Sequence, residues 1–251
     1  MKITGIVLLC ALAVPLHSQE ISVAAAADLH SSLDEIAAQF QKSHAAHVKV
    51  VYGASGNLFQ QLQNGAPFDI FFSANSDYPK KLEAVGLTVP GSYYEYALGK
   101  IVLLVRANSQ LKLSQGLQVL LDPAVKKIAI ADPVHAPYGQ AALAALKSQS
   151  LYDKVSAKLV TGENISQAAS FVLSGAADIG IISMSIAVSP SSKAQVRFAE
   201  IPADEYPPIR QACVILKSSR EQKLSNEFEA YIQGPEASKI FSEYGFRLPA
   251  H

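Results

Sequence analysis

Four short stretches of the chain have residue types suited to holding a small anion. They are AAADLHSSL at 25–33, YGASGNL at 52–58, DPVHAPYGQAAL at 132–143 and TGENISQA at 161–168. Each follows an apolar run and opens a helical pattern with small or hydroxyl-bearing residues, and none contains Lys or Arg. A helix N-terminus carries roughly half a positive charge and several amide hydrogens without intrahelical acceptors. Several such ends brought to one point hold an anion with neutral donors alone, and Ser or Tyr hydroxyls complete its shell. Donors of this kind favour a fully deprotonated ion, because a ligand with a proton to give finds no acceptor among them.

Each candidate residue also has a plainer reading. Ser55 is either an anion donor or an ordinary N-cap. Tyr138, between Pro137 and Gly139, is either a ligand hydroxyl or a solvent-facing aromatic in the first turn. Ile165 can contribute only its backbone amide. Asp28 reads most simply as an N-cap carboxylate bonded to its own helix, and His135 as a loop histidine. Catalytic patterns fit poorly. In GASGN the second glycine of a G-x-S-x-G elbow is replaced by Asn57. No Gly-Lys-Ser/Thr follows to make a phosphate loop, and the six histidines show no H-E-x-x-H spacing. The enzyme alternative is a serine hydrolase using Ser55 and His135.

The elements that must position these residues alternate between strand and helix. Strand patterns occur at 21–25, 48–52 and 69–73, and helical spacing joins Leu29, Leu33, Ile36, Ala37 and Phe40. A helix carrying Leu58, Phe59 and Leu62 stops at Asn64-Gly65-Ala66-Pro67. A short helix at 78–85 closes at Gly86. The run YYEYALGKIVLLV at 93–105 is longer than a usual strand and suits a segment leaving one domain for another. Alternation resumes with strands at 127–131, 157–160 and 178–182 and helices at 138–147 and 165–173. A second extended run at 209–216 carries the chain back, and two helices at 221–232 and 235–244 finish it. This order predicts an α/β fold of two lobes, each a mostly parallel sheet flanked by helices, joined by two crossing strands. The expected division is 19–96 plus 211–251 for one lobe and 97–210 for the other. Strand-to-helix junctions lie at the carboxyl ends of the strands, where ligands bind in such sheets.

The first eighteen residues have the form of an export signal: Lys2, the apolar run from Ile3 to Leu16, then His17 and Ser18. They are too short for a stable membrane anchor, and Cys10 matches a lipoprotein site only loosely because the large Leu9 precedes it. The mature chain then starts near Gln19 and works in the periplasm. Its one cysteine, Cys213, forms no intramolecular disulfide and reads as a small core residue. With 21 basic and 21 acidic residues in the whole chain and no charge blocks, nucleic acid and anionic membrane surfaces are poor partners.

The segments VAAAADLHSSLDEIAAQF, YGASGN, NGAPFDIFFSAN, ADPVHAPYGQAAL, LVTGENISQA with ADIGI, and GPEASKIFSEYGF together resemble the periplasmic molybdate-binding proteins of molybdate ABC transporters. The resemblance runs over nearly the whole mature chain in the same motif order. It implies a type II periplasmic-binding-protein fold with molybdate or tungstate between the lobes, no cofactor, no free metal cation, a membrane permease as partner and a monomeric chain. It assigns donor roles to the Ser55 hydroxyl and amide, the Ile165 amide and the Tyr138 hydroxyl. At the fourth position it places Asp28, where family members have Ser or Asn. The Asp28 side chain is expected to turn back onto the amide of His30 or Ser31, leaving its own amide for the ligand. The commoner family form has its binding tyrosine where this chain has Ser183, so that role passes to Tyr138 in the opposite loop. A sulfate-type tetrahedral oxyanion is the alternative ligand.

Overall fold

The computed structural model describes residues 19–250, and the expected export signal lies outside the described residues. One five-stranded sheet contains β1 (Gln19–Ala26), β2 (Ala46–Gly53), β3 (Ile70–Ser73), β4 (Tyr94–Gly99) and β10 (Ile209–Ile215). The other contains β5 (Ile101–Arg106), β6 (Ile128–Ala131), β7 (Leu159–Gly162), β8 (Ile179–Ser183) and β9 (Val196–Glu200). The helices are α1 (His30–Ser43), α2 (Ser55–Gln63), α3 (Asp77–Ala84), α4 (Pro137–Ser148), α5 (Tyr152–Val155), α6 (Ile165–Ser174), α7 (Met184–Val188), α8 (Gln222–Ile232) and α9 (Pro235–Glu243).

The strand orders, β2-β1-β3-β10-β4 and β7-β6-β8-β5-β9, follow one plan. Three parallel strands are followed by an antiparallel one, β10 or β5, that comes from across the molecule. The long extended run at 93–105 is therefore two strands in different sheets, separated at Lys100. The chain returns to the first sheet between β9 and β10. This is the expected two-lobe α/β architecture.

Interior strands are apolar on both faces, as sheets covered by helices require. Val23, Ala24, Ala25 and Ile70 to Phe72 are all fully buried. One face of the first sheet packs on α1, α8 and α9, with Phe40 and Phe228 edge to face at 5.0 Å. The opposite face packs Phe71 against Leu58, Leu62 and Leu82. The core of the second sheet continues through Tyr138 to Ala26, Ala27, Ala54 and Ala74, so small side chains let the lobes approach closely.

Register then places the junctions. Ala26 pairs with Gly53 at the ends of β1 and β2, and Ala131 with Gly162 at the ends of β6 and β7. Paired strands end level, so their outgoing loops start side by side. Four further elements have no counterpart in the sequence reading: a 3-10 segment at Leu113–Leu121, α5, α7 and β9. The strand expected from Ala157 starts at Leu159, after a 3-10 turn over Ser156–Lys158.

Candidate functional site

The four junctions take different local forms. After β1 the chain makes a 3-10 turn over Ala27–Leu29 before α1. β2 passes through Ala54 into α2, whose first residue is Ser55. α4 opens on Pro137, a position where no amide hydrogen is needed. α6 opens on Ile165, capped by Asn164, whose side chain accepts the Gln167 amide at 3.0 Å. Asn164→Ala is expected to lower stability by about 0.5 to 2 kcal/mol, read as a lower urea midpoint; an unchanged midpoint would show the cap idle.

All four line one small hollow, which brings together Asp28, Ser55, Tyr138 and Ile165. They are buried, at 2%, 1%, 1% and 3% exposure. No Lys, Arg or His side chain is in the lining. The first amides of α2 and α6, at Ser55 and Ile165, have no acceptor among the described residues, and both N-termini direct partial positive charge inward. Hydrogen bonds cross between the lobes around this space. Gly56 donates to the His135 carbonyl at 2.9 Å, Ser166 to the Ala27 carbonyl at 3.0 Å, and Ser185 to the Asp28 carbonyl at 2.7 Å.

The plainer readings of Ser55 and Tyr138 are corrected. Ala54, not Ser55, is the N-cap of α2, and the Ser55 Oγ accepts the Ala74 amide at 3.0 Å. Among the described residues no acceptor takes its hydroxyl hydrogen. Tyr138 is not solvent-facing; its hydroxyl donates to Asp28 Oδ2 at 2.8 Å and accepts from Gln211 Nε2 at 2.9 Å. Ser183 is buried, with its hydroxyl oxygen 3.2 Å from that of Ser185.

Asp28 departs furthest from expectation. Its carboxylate neither caps a helix nor turns to His30 or Ser31, because two stronger donors reach it from other elements. Gln211 of β10 donates to Oδ2 at 2.7 Å, beside the Tyr138 bond, while Oδ1 is buried without a partner. Burial pushes its pKa up to about 6, against the lowering effect of bonds from Gln211, Tyr138 and its own amide. Burial and the neighbouring Asp28 also hold the Tyr138 hydroxyl well above its ordinary value. Gln211 in turn accepts from the Tyr96 hydroxyl at 2.8 Å. Sequence reasoning missed Gln211, although one amide inside the apolar strand IRQACVI is a signal that something polar must meet it there.

The hydrolase alternative fails on geometry. The His135 ring pairs with Asp132 at 2.7 Å, and among the described residues no hydrogen bond joins it to Ser55. His135 is a loop histidine, as its plainer reading has it. No cluster of His, Cys, Asp or Glu able to hold a metal ion occurs among the described residues.

A cation-free hollow between two like-wound lobes, ringed by helix N-termini, defines a two-lobe binding protein of the periplasmic type. The chain matches the model for bacterial extracellular solute-binding proteins over residues 21–247 and belongs to that family. It is 36% identical to the molybdate-binding protein ModA of Azotobacter vinelandii, over 94% of this chain and 93% of the relative. It is 34% identical to ModA of Rhodobacter capsulatus, over 97% and 94% respectively. The solved Azotobacter vinelandii periplasmic molybdate-binding protein superposes with a TM-score of 0.87, covering 92% of this chain and all of that one. The fold and the solute-binding role expected from the sequence therefore hold, and the chain is not an enzyme.

Proposed function

We propose that the chain captures molybdate or tungstate in the hollow and hands it to the membrane permease of an ABC transporter. It does so as a monomer in the periplasm, after an N-terminal signal at 1–18 is removed. The lobes that close on the ion are built on the two sheets, one on β1 to β4 with β10 and the other on β5 to β9, so the crossings fall at Lys100 and between β9 and β10 and not at 96/97 and 210/211. One observation carries this reading: the four junctions meet around one buried space whose lining holds no Lys, Arg or His side chain. The Ser55 hydroxyl, the Ser55 and Ile165 amides, and the Asp28–Tyr138 pair are the groups assigned to the ion. Relatives named for molybdate binding support the choice of oxyanion.

Thermal shift tests it. Molybdate at about 100 times its dissociation constant adds roughly 2.7 kcal/mol, on the order of 5 to 10 °C for a chain of this size. Molybdate and tungstate are expected to give this shift and sulfate none; a shift with sulfate alone would replace the assignment. Ser55→Ala is expected to weaken binding by about 1.5 to 3 kcal/mol, the range for a hydrogen bond to a charged group. Unchanged affinity in that variant removes Ser55 from the site.

A further inference from the structure

Asp28 is out of place in a hollow that takes a dianion. A carboxylate beside two negative charges in a dry site is strongly repelled, yet Asp28 lines the hollow at 2% exposure. Its two oxygens are treated differently. Oδ2 takes two side-chain donors, Gln211 Nε2 at 2.7 Å and Tyr138 Oη at 2.8 Å. Oδ1 is buried and takes none. Tyr138 has one hydroxyl hydrogen, and Asp28 Oδ2 receives it, so in this arrangement the tyrosine has none left for a ligand.

We propose that Asp28 enters the complex as the neutral acid and donates from Oδ1 to an oxygen of the bound dianion, so that capture takes up one proton from solvent. The proposal rests on the reading that the hollow holds an oxyanion. Protonation removes the repulsion and turns the one unpartnered oxygen into a donor, while Oδ2 keeps Tyr138 and Gln211. No base is needed on the ligand. The groups facing Asp28 do not compete for the proton: Tyr138 from α4, Tyr96 from β4, Gln211 from β10, Ser183 from β8 and Ser185 from α7 are all neutral. On its own side of the chain, His30 pairs with Asp34 at the surface, at 3.6 Å. The burial that raises the Asp28 pKa to about 6 acts in the same direction, and a neighbouring dianion raises it further.

Linkage sets the sign. The free carboxyl is ionised above about pH 6 and the bound one is not, so molybdate affinity falls about tenfold per pH unit above that point and is flat below it. Titration calorimetry with molybdate between about pH 6.5 and 8.5, in two buffers of different ionisation enthalpy, reads both the slope and the proton count. The expected result is one proton taken up per molybdate at the upper end. Asp28→Asn presents an amide donor with no proton to gain, so its affinity is expected to be independent of pH with no proton taken up. A wild type that binds molybdate with a flat profile and no proton uptake overturns the inference and leaves the proposed function standing. An Asn variant that keeps the wild-type slope also overturns it. A wild type that binds molybdate at no pH overturns both.

Discussion

Gln211→Leu is expected to destabilise the ligand-free protein by about 3 to 5 kcal/mol at pH 8, the range for stripping a partner from a buried charge. The two side chains are similar in volume, so the loss is of hydrogen bonds and not of packing. Gln211 is fully buried and serves three groups: its Nε2 donates to Asp28 Oδ2 and to Tyr138, and its Oε1 accepts from Tyr96. Tyr96 retains the Ser73 carbonyl at 3.3 Å, but Asp28 is left with Tyr138 alone. The deficit depends on pH with a definite sign. The folded Asp28 pKa is about 6, above the ordinary 3.8, so the folded chain holds a proton that the unfolded chain releases between those values. Stability from this group is fully present below about pH 4 and is lost as pH rises through about 6. Removing a lowering donor moves the folded value higher still. Urea denaturation at pH 8 and pH 5 is therefore expected to show a larger deficit at pH 8. Equal deficits at the two values would show that the amide acts on Asp28 only as a space-filler.

The architecture was legible because period and punctuation agreed. Val23 to Ala25 and Ile70 to Phe72 read as buried strands and are buried, and Gly65 and Gly86, which end α2 and α3, adopt φ of 83° and 73° as such stops require. Elements that were missed lack that agreement. α7 spans five residues, too few to show a helical period, and β9 exposes Arg197 and Phe198 in succession, which hides alternation. The meeting of the four junctions was legible for a simpler reason: parallel neighbours that end level must start their loops together. What a linear pattern cannot express is the partner of a buried charge. Asp28 and Gln211 are 183 residues apart and Asp28 and Tyr138 are 110 apart. Local rules therefore assigned Asp28 to the nearest amides. A site read as lacking any acceptor contains one.

Gly99→Ala is expected to weaken molybdate binding at least a hundredfold, from roughly 3 to 5 kcal/mol of lost stability in the closed form. Gly99 ends β4 in the first sheet, and Tyr138 reaches it from α4 on the other side of the hollow. A methyl group at Gly99 would overlap the Tyr138 hydroxyl and stand 2.9 Å from Gln211 Nε2, closer than real Cβ atoms approach. The tyrosine must move, so its bond to Asp28 is lost together with the close packing; the two effects add because one displacement causes both. Gly56 shows the same constraint at the rim, where a methyl would lie 2.8 Å from the His135 carbonyl oxygen that its amide now binds. Opening the lobes relieves the Gly99 clash without unfolding either sheet. The ligand-free variant is accordingly expected to keep most of its melting temperature while its radius of gyration in solution scattering increases. An Ala variant with wild-type molybdate affinity and wild-type radius would show that the lobes do not need the close approach of Gly99 to Tyr138, and closure would have to be sought in other contacts.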